Sequence, residues 1–263
     1  MSALPSHSLE HGRKIKLLSF NIQVAIASTR TRHYLTQSWK HVLPHANHFD
    51  NLDRIAHLVS DYDIVGLQEV DGGSLRSYFV NQVEYLAERS RHPFWHQQTN
   101  RNIGRIAKHS NGLLSRFQPS EIVEYKLPGV MPGRGTLMVR YGHADNPLVL
   151  MLVHLALGKR TRLYQLDFVA ELVRDFQHVC VMGDFNCTPD SEEMVHLFNK
   201  TDLCLPEERH LTFPAWRPAR NIDHILTSSS IKVEQMKVLN EALSDHLPIA
   251  IEISLPAGLH LGR

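Results

Sequence analysis

VCVMGDFNCTPDS, residues 179–191, is an apolar run that stops on Gly-Asp and then turns. Val179 to Met182 has the length and β-branched content of a buried strand, and Gly183-Asp184 ends it. An Asp after a Gly at a strand end is often only a turn residue. The same arrangement recurs along the chain, however. KIKLLSFN (14–21) is an apolar run closing on the amide Asn21, Ile64 to Leu67 ends in Gln68-Glu69, and LVLMLV (148–153) stops at His154. Asp223-His224 opens the apolar segment Asp223 to Leu226, and Asp245-His246 lies just before LPIAIEI (247–253). One polar strand end carries little information, because strands must turn polar somewhere. Repeated this often, the pattern says that one rim of the sheets collects carboxylates, amides and imidazoles.

Helical spacing separates these strands. Leu52, Ile55, Ala56 and Val59 share one face, as do Tyr78, Val83, Leu86 and Ala87, and then Leu163, Leu166, Ala170 and Val173. Leu113 to Leu114, Glu121 to Tyr125, Leu137 to Tyr141 and Ile231 to Val238 read as further strands, with long Pro-containing loops at 127–135 and 205–219. Single strands, hairpins and helices in this mixture suit two sheets packed face to face with helices outside. No linker or repeat divides the chain, so 1–263 is read as one domain with a core over about 14–255. The stretch of about 25–48 is too long for a tight connection. Leu35, Trp39, Val42 and Leu43 could share a helical face there, beside Arg30, Arg32, Lys40 and His41. It reads either as a substrate-contacting lid or as a short helix on the sheet edge.

Composition narrows the classes. Hydrophobic residues are 43% of the 263, enough for a large core and too many for a disordered chain. Cys180, Cys187 and Cys204 are odd in number and form no C-x-x-C pair. A disulfide framework and a zinc site are therefore disfavoured, and a reducing, cytoplasmic compartment is the expectation. No apolar run is long enough to span a membrane, and the polar start lacks the apolar stretch of a secretory signal. The net charge of +1 argues against strong generic affinity for nucleic acid. Of the 18 histidines, roughly four in five are expected at the surface. Glu69 and Asp245 are hard oxygen donors of the kind magnesium takes, one or two carboxylates at a time.

The segments LLSFN (17–21), VGLQEV (65–70), SNGLLSR (110–116), LVHLALGKRTRLYQL (152–166), GDFNCTPDS (183–191), IDHIL (222–226) and SDHLP (244–248) occur in a characteristic order. On these motifs the chain resembles the endonuclease/exonuclease/phosphatase superfamily. The resemblance implies a four-layer α/β/β/α sandwich with its site at the sheet rim. It implies Glu69 as the principal magnesium ligand, with Asn21 and Asp245 near the metal and manganese able to substitute. Asp184 would align or deprotonate the attacking water, and Asn186 would bind phosphate oxygens. His246 would contact the phosphate, Asp223 would orient His246, and His154 would be a second phosphate contact. Asn111 would lie in the site.

Departures from the family pattern also matter. Gln23 stands where some of these nucleases carry an acidic residue, which weakens a two-metal scheme. His109 stands where some carry Tyr, which weakens transfer of a DNA-repair role. Arg160 and Arg162 either steer an anionic substrate or open a solvated helix. Cys187 reads as packing, since no activating base adjoins it. The expected reaction is magnesium-dependent hydrolysis of a phosphoester, above all a phosphodiester, by in-line attack of water. Nucleic acid is one substrate class, with arginines 101, 105, 116, 134, 160 and 162 as phosphate contacts. A small-molecule or lipid-headgroup ester, with peripheral membrane contact, is the alternative, and a non-catalytic binding module is a third reading.

Overall fold

The computed structural model describes residues 12–25, 48–129, 133–206 and 210–262. The insertion and its candidate lid residues, Arg30 to Leu43, lie outside them.

Two six-stranded mixed sheets form the centre. The first holds β1 (Lys14–Asn21), β2 (Ile64–Asp71), β3 (Phe94–Ile103), β4 (Ala107–Ser115), β11 (Lys232–Val238) and β12 (Ile249–Ser254), in the order β11-β12-β1-β2-β4-β3. The second holds β5 (Glu121–Lys126), β6 (Gly135–Tyr141), β7 (Leu148–His154), β8 (His178–Asp184), β9 (Leu203–Cys204) and β10 (Asp223–Ser228), in the order β5-β6-β7-β8-β10-β9. Helices α1 (His48–Val59) and α2 (Gln82–Ser90) cover the first sheet. Helices α3 (Lys159–Val173) and α4 (Glu192–Lys200) cover the second.

The period-2 alternation of strand side chains produces the layers. On β1, Ile15 and Leu17 point into the inter-sheet core, while Leu18 and Phe20 face Leu52, Ile55 and Val59 of α1. On β7, Leu148, Leu150 and Leu152 meet the first sheet, while Val149, Met151 and Val153 meet Leu166, Val169 and Val173 of α3. Three apolar interfaces separate four layers, as the motifs imply. A Cβ on Gly66 would lie 2.6 Å from Leu152 Cδ1 and 2.7 Å from Met182 Cε, so the sheets approach closely at that point.

Topology explains why polar strand ends gather. Each sheet has one parallel pair at its centre, β1 with β2 and β7 with β8. Their registers place Asn21 beside Gln68 and His154 beside Asp184. Parallel strands end on the same side, and β10 runs antiparallel from that side, with Asp223 opposite Asp184.

Some elements depart from the sequence reading. β3 was not foreseen, because FWHQQTNRNI is polar and lies at a sheet edge where only one residue is fully buried. α4 was also missed, although Ser191 accepts from Met194 N at its start. The helix expected from Tyr78 begins at Gln82, where Asn81 caps Val83 N and Glu84 N. Tyr78 lies outside it, with φ 55°. The surface expectation for histidines also fails, since His48, His92, His154, His178, His224 and His246 are all buried. All three cysteines are free thiols.

Candidate active site

Asp184 ends β8 and is buried at the rim. Gly183 precedes it with φ 149°, and a Cβ there would stand 1.9 Å from Val153 O, so glycine is required for β8 to pair with β7. Two donors fix the Asp184 carboxylate. Asn21 Nδ2 donates to Oδ2 at 3.1 Å, and Asn186 N donates to Oδ1 at 2.9 Å. Asn21 Oδ1 in turn accepts from Gln23 N at 3.1 Å. Asn186 has φ 55°, and its side-chain amide donates to Leu155 O at 3.0 Å, tying this turn to the end of β7.

Two imidazoles flank the carboxylate. His154 Nε2 lies 3.5 Å from Asp184 Oδ2 and 3.8 Å from Glu69 Oε1. His246 Nε2 lies 3.9 Å from Asp184 Oδ2 on its other side. His246 Nδ1 donates to Asp223 Oδ2 at 2.9 Å, and Thr212 Oγ1 donates to the same carboxylate. Phe213 packs on the His246 ring with centroids 4.8 Å apart. Glu69 sits on a bulge of β2 in a left-handed conformation, φ 56°. That break in the ladder turns its half-exposed side chain toward the rim. Asp245 precedes β12, where Ser244 Oγ donates to its Oδ1 and Gln23 Nε2 to its Oδ2, both at 3.1 Å.

These neighbours set opposite charge states on the two imidazoles. Burial opposes charge on His246, but Asp223, then Asp184 and Asp245, overcome it and raise its pKa to about 10. Burial lowers His154 well below the ordinary value, and Arg134 adds to the effect. The Arg134 guanidinium lies 2.6 Å from the His154 ring nitrogens. Burial beside that fixed positive charge keeps His154 neutral. Burial pushes Asp184 up to about 7; His246 opposes the rise, while Asp223 and Glu69 add to it. Asp245 rises to about 6, again chiefly by burial, against His246 and with Glu69.

Asp184, Asp245 and Glu69 gather negative charge at this rim, where a cation would find oxygen donors. Gln23 Oε1, buried without a hydrogen-bond donor, is one more such oxygen. Ligand atoms of Asp184, Asp223 and His246 lie within 4.8 Å of one another. His246 spends Nδ1 on Asp223 and carries a raised pKa, so within this trio the imidazole serves as a partner of carboxylates before it serves as a ligand. Glu69, Asn21 and Asp245 offer side-chain oxygens, the hard donors that divalent cations such as magnesium take.

A cavity of about 500 Å³ opens beside the cluster, lined by Glu69, Arg101, His109, Asn111, Arg134 and Leu157 among others. Asn111 spends both amide protons on Gln98 Oε1 and Gly135 O, leaving only its Oδ1 without a partner. Arg160 is exposed on the first turn of α3 and is not part of the cavity wall. Arg162 corrects the expectation of a substrate contact. Its Nε and one terminal nitrogen bind Glu193 Oε1 at 2.9 and 2.7 Å, and it also donates to the carbonyls of Ala156 and Leu157. It buttresses the loop after β7. Arg116 is exposed and donates to Ser60 O, and it does not line the cavity. Sequence reasoning gave no separate place to Arg134 or Thr212, and it read Gln23 only as a missing acidic residue. The signal for Arg134 was its position between two glycines at the end of a Pro-rich loop.

The sequence model of the Endonuclease/Exonuclease/phosphatase family matches residues 18–246. The chain belongs to this family. Members of this family are phosphoric ester hydrolases, and this chain is one by family; the family is metal-dependent. No curated protein matches the sequence. Among solved structures, the endonuclease/exonuclease/phosphatase from Beutenbergia cavernae aligns with 93% of this chain and 72% of its own, at TM-score 0.70 and 20% identity. A mannosyl-6-phosphatase from Bacteroides thetaiotaomicron aligns with 92% of this chain and all of its own (100%), at TM-score 0.67 and 18% identity. D. rerio TDP2, solved with a single-strand DNA product, aligns over 92% and 99%, at TM-score 0.68 and 18% identity. Identities this low show a shared fold and leave the substrate to the site itself.

Proposed function

We propose that this protein hydrolyses a phosphodiester by one-step, in-line attack of water, with magnesium as its metal. The observation that carries the reading is the setting of Asp184, a carboxylate fixed by two donors and facing one neutral and one cationic imidazole. Held by Glu69, Asn21 and Asp245, magnesium or manganese would supply Lewis-acid charge at a phosphoryl oxygen and at the leaving oxygen. Asp184 orients the water and takes its proton, for which a pKa raised toward neutrality suits it. The water oxygen forms the new bond to phosphorus, and the bond to the leaving oxygen breaks with its electron pair. His246 as imidazolium and His154 as neutral donor hydrogen-bond the phosphoryl oxygens, with the second amide proton of Asn186 also free to do so. Such preorganised donors act where charge develops. Asp223, held in turn by Thr212, fixes the His246 ring, while Arg134 helps keep His154 neutral and adds charge to the cavity wall. No side chain forms a covalent intermediate.

A substrate panel tests this, run once with magnesium and once with chelator. It contains bis(4-nitrophenyl) phosphate, single-stranded and duplex DNA, RNA, a phosphomonoester, inositol phosphates and phospholipid vesicles. The expected result is turnover of a diester that chelator abolishes. Turnover indifferent to chelator, or none on any member with magnesium, would overturn the proposal.

A further inference from the structure

Among the described residues, ten large apolar side chains stand exposed, and five of them share one place instead of scattering. Leu75, Tyr78 and Phe79 lie on the turn after β2, and Ile103 and Ile106 on the tip of the β3–β4 hairpin. Leu75 N donates to Arg105 O at 2.8 Å, which joins the two loops into one surface. Phe79 is the most exposed of the five, at 62%.

Exposed charge on these two loops has one sign. Arg101 and Arg105 are exposed on the same hairpin, and Lys108 is half-buried beside them. Residues 72–81 and 99–110 contain no Asp or Glu. The adjoining carboxylate, Asp71, is fully buried and spent on Arg76, Ser74 and Ser77. The surface also borders the active site. Arg101 lines the catalytic cavity with Glu69 and His154, and Leu157, 76% exposed, lines the same cavity.

We infer that this face docks on an anionic lipid bilayer and that the diester cleaved is a phospholipid headgroup presented at the cavity mouth. The docking half stands on the surface alone, and the substrate half rests on the hydrolase reading above. Apolar side chains enter the boundary between headgroups and acyl chains, while exposed arginines pair with lipid phosphates. Three of the five apolar groups are aliphatic and offer no ring face for stacking, which a single-stranded nucleic acid would need.

The test is sedimentation of the full chain with vesicles of phosphatidylcholine alone and of phosphatidylcholine mixed with phosphatidylserine. Binding to the mixed vesicles, weakening as salt is raised, is expected. The double variant Phe79→Asn, Ile106→Ser should lower that partitioning by roughly tenfold or more. Asn tolerates the left-handed backbone at position 79, and both side chains are exposed, so the fold is kept. Turnover of soluble bis(4-nitrophenyl) phosphate should stay unchanged in the variant. Arg105→Glu should weaken vesicle binding in the same way. Three results would overturn docking: no preference for the mixed vesicles, unchanged partitioning in the double variant, or tighter binding of an oligothymidylate that the double variant abolishes. If soluble diester is not hydrolysed, the hydrolase reading fails while the vesicle result still decides docking.

Discussion

Asp223→Asn removes the charge that keeps His246 protonated. In the folded protein His246 is buried, and burial by itself favours neutral imidazole. The hydrogen bond to Asp223, 2.9 Å long, and the nearby Asp184 and Asp245 reverse this and raise the pKa to about 10. A hydrogen bond to a charged partner contributes ~1.5–3 kcal/mol. An Asn side chain at 223 can still accept from Nδ1, but without the charge; at about 1.4 kcal/mol per pKa unit, losing that charge lowers the pKa by about one to two units. His246 then deprotonates at about pH 8–9 in the variant, instead of about 10. An imidazolium donor works below its pKa and fails above it, so the alkaline limb of turnover moves down by that interval. The assay is kcat/KM for bis(4-nitrophenyl) phosphate against pH at saturating magnesium, with the histidine resonances followed by NMR in parallel. Identical alkaline limbs in the two proteins would refute the reasoning. So would a wild-type His246 that is neutral at pH 7.

Other perturbations probe the scaffold. Arg162→Ala strands the carboxylate of Glu193, whose side chain is 1% exposed, and should cost ~3–5 kcal/mol in urea unfolding with no increase in KM; a loss under ~1 kcal/mol with raised KM would restore Arg162 as a substrate contact. Gly183→Ala sets a methyl 1.9 Å from Val153 O, so β7 and β8 must part, and a loss of ~3 kcal/mol or more together with near-complete loss of turnover is expected. His109 has its pKa lowered to about 4, first by burial and then by Arg76. Between that value and the ordinary 6.5 the unfolded chain binds a proton that the folded chain refuses. Its contribution is therefore intact above 6.5 and lost as pH falls toward 4, so His109→Gln should flatten the acid side of the stability curve; an unchanged curve would contradict this.

How far the sequence could be read follows from which residues carry periodicity. β1, β7 and β8 are apolar on both faces because each lies inside its sheet, and such runs stand out. Their polar ends, Asn21, His154 and Asp184, could be picked out for the same reason. β3 could not, since an edge strand with a wet face shows no alternation. α4 is nine residues with three buried, too few to set a pattern against its charged start. The pairing of His246 with Asp223 was legible from the motifs, but the opposite charge state of His154 was not. That state comes first from burial and then from Arg134, which is 20 residues away in sequence and reaches His154 because β6 and β7 pair. Arg162 misled because its sequence context, after an apolar strand and a glycine, suits a phosphate contact equally well. Only the burial of Glu193 shows where its charge is used.

Glu69 and Asp184 come from different sheets and have no reason to act together unless the rim is a single phosphoester site. The most direct measurement is turnover of bis(4-nitrophenyl) phosphate against magnesium concentration for the wild type, Glu69→Ala and Asp184→Asn, each verified as folded by its melting curve. Wild-type turnover should rise with magnesium and saturate, and each variant should lose roughly a hundredfold or more. A folded variant of either kind that turns over at the wild-type rate would contradict the account.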